Sequence, residues 1–185
     1  NSNYFGKSLV KLDLSQNQLE GTIPTTLGNL CNLREIDFSR LKLNQQVNEI
    51  LEILTPCVSH VVTRLIISSS QLSGNLTDQI GSFKNIVRMD FGNNLIHGTL
   101  PRSLGKLSSL HILDLSQNQF YGNPFQFLRS LYELSYLSID DNLFEGVVKE
   151  DDLANLTSLT TFLASGNNLT LAVGPNWPIG SLAFS

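Results

Sequence analysis

The sequence predicts an α/β repeat solenoid: a superhelix of short repeats with a parallel β-sheet on its concave face and short 3-10 or α helices on its convex face. Three observations predict it. The stretch Leu9-x-x-Leu12-x-Leu14-x-x-Asn17-x-Leu19-x-Gly21-x-Ile23-Pro24, closed by Leu27-Gly28-x-Leu30, returns almost intact from Leu110 and more loosely from Val62, Ile86, Leu134 and Leu159. The leading apolar residues fall at 9, 33, 62, 86, 110, 134 and 159, so the spacings are 24, 29, 24, 24, 24 and 25. Each unit also opens with an alternating apolar pair, such as Leu12/Leu14, Ile36/Phe38, Leu65/Ile67, Met89/Phe91, Leu113/Leu115, Leu137/Ile139 and Phe162/Ala164. Alternation is the signature of a strand with one face turned to a core.

The unit is the leucine-rich-repeat consensus. Residues 1–8 read as the remnant of a preceding repeat, and residues 9–185 as about seven repeats. One repeat cannot bury its own apolar side, so stacked neighbours are obligatory, at about 1.5–3 kcal/mol per buried leucine-sized side chain. The asparagine at the ninth position is turned inward and needs a partner. Its amide is expected to bond loop backbone in its own and the neighbouring repeat, forming a ladder of Asn17, Asn94, Asn118, Asn142 and Asn167. A satisfied bond contributes about 1 kcal/mol, and an orphaned buried amide costs about 1–3. The ladder lapses at Leu41 and Ser70.

Those lapses flank a longer second repeat, 33–61. There Val47, Ile50, Leu51 and Leu54 have helical spacing, so an amphipathic helix is expected over 46–54 on the outer side, ended by Thr55-Pro56. Cys31 and Cys57 stand on either side of it. A bridge between them, the expectation in a secreted chain, would contribute about 2–4 kcal/mol. Two buried free thiols are the alternative.

A chain of 185 residues is compatible with one domain, and 41% hydrophobic residues supply its core. Only 15% are charged, so the surface must be largely Ser, Thr, Asn and Gln. The net charge of −4 argues against a nucleic-acid partner, which wants a basic stripe. No apolar run reaches the ~18 residues of a membrane span. With no initiator Met, leader pattern or polar caps, the chain reads as a piece of something longer or a truncated product, with any membrane contact made through segments not present. Three sequons, at Asn75, Asn155 and Asn168, are candidate glycosylation sites.

Catalytic signals are sparse. His60, His97 and His111 fall at different repeat positions, and no His or Cys pair has metal-ligand spacing. Asp140-Asp141 and Glu150-Asp151-Asp152 read as solvated faces rather than calcium loops. The recurring Asp-x-Ser at Asp13, Asp37 and Asp114 reads as scaffold because it recurs. The expectation is a non-enzyme with no cofactor and no metal.

Binding is better signalled. Side chains between the core leucines point to the concave face. Third positions form the lane Lys11, Glu35, Arg64, Arg88, Ile112, Tyr136, Thr161. Eighth positions form Gln16, Arg40, Ser69, Asn93, Gln117, Asp141, Gly166. Both lanes vary between repeats, whereas the fifth and seventh are mostly Asp and Ser. The candidate ligand-binding residues are Lys11, Gln16, Arg40, Arg64, Arg88, Asn93, Gln117, Tyr136, Asp140 and Asp141. Arg64 and Arg88, one repeat apart, suit an acidic group on a ligand. The competing reading pairs them with Asp90. Tyr136, Asp140 and Asp141 form an aromatic and acidic patch. A glycan on Asn75 would obstruct the flank where the turn strand runs, favouring the concave lanes.

The Gly-x-Ile-Pro element at 21–24, its echo Leu95-Ile96-His97-Gly98-Thr99-Leu100-Pro101 and Leu104-Gly105-Lys106-Leu107 resemble the plant-specific class of leucine-rich repeats. The long second repeat, the LANLTSL segment at 153–159 and VGPNW at 173–177 resemble legume receptor-like proteins, among them relatives of the ethylene-inducing-xylanase receptor. The resemblance implies an extracellular ectodomain, at the plasma membrane or in the apoplast as part of a longer chain. It implies a protein or peptide ligand in defence or development, and signalling through co-receptor kinases. The alternatives are a soluble inhibitor of microbial wall-degrading enzymes, similar to polygalacturonase-inhibiting proteins, and a truncated decoy without its own ligand.

Overall fold

The computed structural model describes residues 7–172, so most of the 1–8 segment and the VGPNW motif lie outside the described residues. Seven three-residue strands, one at the start of each repeat, form one parallel sheet in the order β1 (Lys11–Asp13), β3 (Glu35–Asp37), β5 (Arg64–Ile66), β6 (Arg88–Asp90), β8 (Ile112–Asp114), β10 (Tyr136–Ser138) and β12 (Thr161–Leu163). Neighbours in the sheet are neighbours in the chain, apart from the intervening turn strands. The middle residue of each strand is the inward one: Ile36, Leu65, Met89, Leu113, Leu137 and Phe162 are all 3% exposed or less. The first residues pair in register, Lys11 with Glu35, then Arg64, Arg88, Ile112, Tyr136 and Thr161.

A second, parallel array runs along one flank. β2 (Glu20–Gly21) pairs with β4 (Lys42–Leu43). Single bridges at Gln46–Ser73 and Asn75–His97 continue it. It then widens into β7 (His97–Gly98), β9 (Gln119–Gly122), β11 (Leu143–Lys149) and β13 (Asn168–Ala172). The alternating Ile96, Phe120, Phe144 and Val148 turn into the core, while Tyr121, Leu143 and Val147 face outward. A turn strand beside Asn75 is the sequence expectation; a second sheet is the structural outcome.

The convex side carries 3-10 turns at Thr25–Asn29, Val58–His60, Asp78–Ser82 and Arg102–Lys106, and three short α-helices, α1 (Val47–Leu54), α2 (Phe125–Leu128) and α3 (Glu150–Leu153). α1 buries Val47, Ile50, Leu51 and Leu54, the four residues its spacing singled out. It packs beside the first 3-10 turn so closely that a Cβ on Gly28 would meet the Ile53 carbonyl oxygen, which makes glycine obligatory there. Thr55 retains right-handed helical angles although Pro56 follows, and its hydroxyl donates to the Leu51 carbonyl at 2.6 Å. Cys31 and Cys57 are joined by a disulfide with their Cα atoms 5.0 Å apart. The acidic run Glu150-Asp151-Asp152 is the first turn of α3, and Asp152 accepts the Lys149 backbone N–H at 2.8 Å, so these charges sit where the helix dipole favours them.

The core is one continuous apolar column through all described repeats, edged by the asparagine ladder. Asn118 shows the pattern. Its Nδ2 donates to the carbonyls of Phe91 in the preceding repeat and of Leu115 and Ser116 in its own, and its Oδ1 accepts the Ile96 N–H. Asn94, Asn142 and Asn167 repeat that set. Asn17 is exposed and donates only to Leu14 and Ser15 of its own loop. Ser70 is not the lapse that the missing amide suggests. Its hydroxyl faces the carbonyls of Phe38 and Ser68 and accepts the Leu41 N–H, so a shorter polar group reaches equivalent backbone atoms. Leu41 is the true lapse. Its side chain is buried, and the Gln45 side chain reaches across to accept the Ile23 N–H at 2.9 Å.

Candidate ligand-binding face

The third-position lane crosses the concave face as one row. At its start Lys11 and Glu35 are 3.8 Å apart, both exposed enough that the pair contributes little. Arg64 and Arg88 follow on adjacent strands. Only Arg88 is taken by Asp90, at 3.2 Å. The Arg64 guanidinium is exposed and makes no ion pair with the described residues. The Nε of Arg88 is buried without a hydrogen-bond partner, so this arginine is only partly satisfied. Ile112 and Tyr136 continue the row, half-buried.

The fifth and seventh positions are occupied with each other. Asp13, Asp37 and Asp114 each accept the backbone N–H and hydroxyl of the serine two residues on. In Asp13 the Ser15 bonds hold the carboxyl below its ordinary value. Asp90 lacks that serine and accepts only the Gly92 N–H and Arg88. Burial, and then the charge of Asp114 beside it, push its carboxyl above the ordinary value. Burial also raises the Tyr136 phenol, with Asp114 adding to the effect. Asp140 is held by Ser138 and by the Ser165 backbone and hydroxyl one repeat on. It is therefore tied into the sheet and not free beside Tyr136, leaving Asp141 as the exposed acid of that patch.

The eighth position has a role its variability does not announce. Gln16, Arg40, Ser69, Asn93, Gln117 and Asp141 all have φ between 50° and 58°, and Gly166, next in the lane, has φ 67°. This is the left-handed region, uncommon for residues with a Cβ. The chain turns there in every repeat, so the position is set by backbone geometry as well as by any contact. Gly166 and Asn93, residue types that tolerate this region, were the available signal. The side chains stay mostly at the surface; Asn93 donates to the Ser69 hydroxyl at 2.9 Å.

The three sequon asparagines are exposed, Asn75 on the second-sheet flank, Asn155 after α3 and Asn168 at the start of β13. An open cleft of about 430 Å³ runs beside Asn75, lined by Thr77, His97, Thr99, Pro101 and Tyr121 among others. Among the described residues no three His, Cys, Asp or Glu side chains group as metal ligands, and no helix is long and apolar enough to cross a membrane.

The leucine-rich-repeat family model matches residues 8–30 and 109–131. No curated protein sequence matches the chain. Among solved structures, the PEPR1–AtPEP1 complex is 28% identical with a TM-score of 0.77, over 89% of this chain and 22% of that one. The ectodomain of GASSHO1/SCHENGEN3 from Arabidopsis thaliana, in complex with CASPARIAN STRIP INTEGRITY FACTOR 2, is 30% identical with a TM-score of 0.63, over 83% and 21%. The Arabidopsis receptor kinase HAESA, with the peptide hormone IDA and the co-receptor SERK1, is 26% identical with a TM-score of 0.69, over 90% and 26%. The chain spans about a fifth to a quarter of these proteins' solved chains. Its repeats are leucine-rich repeats, and its fold is the solenoid that plant receptor ectodomains share.

Proposed function

We propose that this chain is a non-catalytic recognition segment in the extracellular part of a plant receptor, taking a peptide or protein ligand on the concave face in defence or development signalling. The observation that carries the reading is Arg64. It is an exposed guanidinium unclaimed by any described acid, in a lane whose residues differ from repeat to repeat while the fifth and seventh positions are mostly spent on scaffold. An acidic side chain or carboxylate of a ligand is the complement that geometry suits. The solved HAESA complex, with its peptide hormone and co-receptor, supports a ligand of this class and a partner kinase.

A displayed peptide library selected against the full chain tests this. Enriched peptides should carry acidic groups and lose about tenfold or more in affinity on Arg64→Ala, the loss of one charge-assisted contact. Selected peptides indifferent to Arg64 and to Tyr136 would overturn the concave reading. Inhibition of a purified microbial wall-degrading enzyme by the chain would point to the soluble-inhibitor alternative.

A further inference from the structure

The polar cleft beside Asn75 lies off the concave face. Asn75 forms one wall of the cleft, and its Cα pairs with His97 across the second array. His97 pairs in turn with Gln119, two residues before Tyr121. Asn75 and Tyr121 are thus two strand spacings apart across the array and two residues apart along it, about 12 Å in all, with Gly98 and Thr99 lining the cleft between them. Gly98 has φ 95°, and a Cβ there would press on the Asn75 Cβ at 3.2 Å. Glycine therefore keeps the floor low beside the asparagine. Tyr121 is 52% exposed and its hydroxyl makes no hydrogen bond among the described residues, leaving a broad aromatic face turned to solvent. Asp78 at the rim accepts the Ser103 N–H.

We propose that Asn75 carries an N-linked glycan whose first two sugars lie in this cleft, the second stacking on the ring of Tyr121. Three features converge on a sugar. The cleft is open and mostly polar. Its length matches two pyranose rings. It begins at an asparagine in an Asn-Leu-Thr sequon and ends at an exposed aromatic ring, whose amphipathic face suits the apolar side of a sugar. Asn155 and Asn168 do not line this cleft. A seated glycan covers the β7–β9 flank and leaves the concave lanes as the open surface. The inference rests on the extracellular reading only in that the chain must meet the glycosylation machinery.

The test uses the full chain secreted from plant cells behind an added leader. Mass spectrometry should find Asn75 occupied. In the folded protein, endoglycosidase release from Asn75 should speed up about fivefold on Tyr121→Ser, the factor expected for one aromatic contact, and stay unchanged on Tyr121→Phe. On the unaltered protein, one N-acetyl methyl proton signal should be shifted upfield by the tyrosine ring and return on unfolding, a readout that needs no variant. An empty Asn75 on folded secreted protein, equal release rates for Tyr121→Ser and the parent, or no shifted methyl would overturn the proposal. None of these outcomes bears on ligand binding at Arg64, so the two readings fail separately.

Discussion

In the repeats that start at Ile86, Leu110 and Leu134, a single asparagine ties each loop to the repeat before it. In the repeat that starts at Leu33 the same position is Leu41, and the work is divided among unlike groups. Ser70 supplies a hydroxyl from the following repeat, Gln45 reaches to Ile23, α1 replaces a 3-10 turn, and the Cys31–Cys57 bridge pins the helical segment. The regular repeats hold loop backbone by a bonded amide and bury small convex turns. The long repeat buries an eight-residue helix with Val47, Ile50, Leu51 and Leu54 at 0% exposure. The difference teaches that the requirement is satisfaction of loop N–H and C=O groups facing a dry core, and that asparagine is one means of meeting it.

The largest test of this comparison is covalent. Replacing Cys31 and Cys57 together by serine opens a loop of 26 residues and should lower stability by about 3 kcal/mol, read from denaturant midpoints, because the unfolded chain regains loop entropy. A loss under a third of that would mean α1 is held by its apolar face alone.

Next comes the ladder. Asn118→Ala strips the Ile96 N–H of its acceptor and removes one of two donors from the Phe91, Leu115 and Ser116 carbonyls, and should cost about 2–3 kcal/mol. Asn17→Ala, at an exposed loop with bonds only to itself, should cost less than about 0.5 kcal/mol. Equal losses would show that the spine is not the stabilising element. Ser70→Ala should fall between the two, about 1–2 kcal/mol, if its hydroxyl does serve as the short rung.

A smaller effect concerns acidity. Asp90 holds its proton to higher pH in the folded state than the ordinary 3.8 because it is buried and faces Asp114. Between the unfolded and folded values the native state binds more protons, so stability falls as pH rises through that window. The contribution is whole below the unfolded value and gone above the folded one. Asp90→Asn should flatten that decline in melting temperature, measured from about pH 3.5 to 7. An unchanged slope would sink the assignment.

The smallest effect belongs to the left-handed corner. Gln117→Gly should stabilise by up to about 0.5–1 kcal/mol at φ 52°, and Gln117→Val should destabilise by about 1–2. No difference between the two would mean the turn relaxes freely.

Much of the architecture is legible in residues 9–30 alone. The leucine spacing defines the strand and the inward face, and the helix over 47–54 is visible from four apolar residues. Pairing register also follows, since aligned repeats place Lys11 beside Glu35 and Arg64 beside Arg88. The candidate face is less legible. Arg40, Gln16, Asn93 and Gln117 look like a recognition row, yet they sit where the backbone must take positive φ. Little in the side chains' identity reports that beyond Asn93 and the glycine at 166. Asp140 looks like half of an acidic patch until Ser165 of the next repeat claims it.

The order of the strands, the buried column and the class of fold were determined by the sequence, because periodic apolar residues leave one way to remove their surface from water. Which arginine is free, that Ser70 stands in for an asparagine, and that Asn75 opens onto a cleft ending at Tyr121 were decided only by the tertiary structure. The last two depend on distances between residues more than twenty positions apart in the chain, and the first on a side-chain geometry within one strand. Periodicity sets which atoms are neighbours; only packing determines which of them remain unsatisfied.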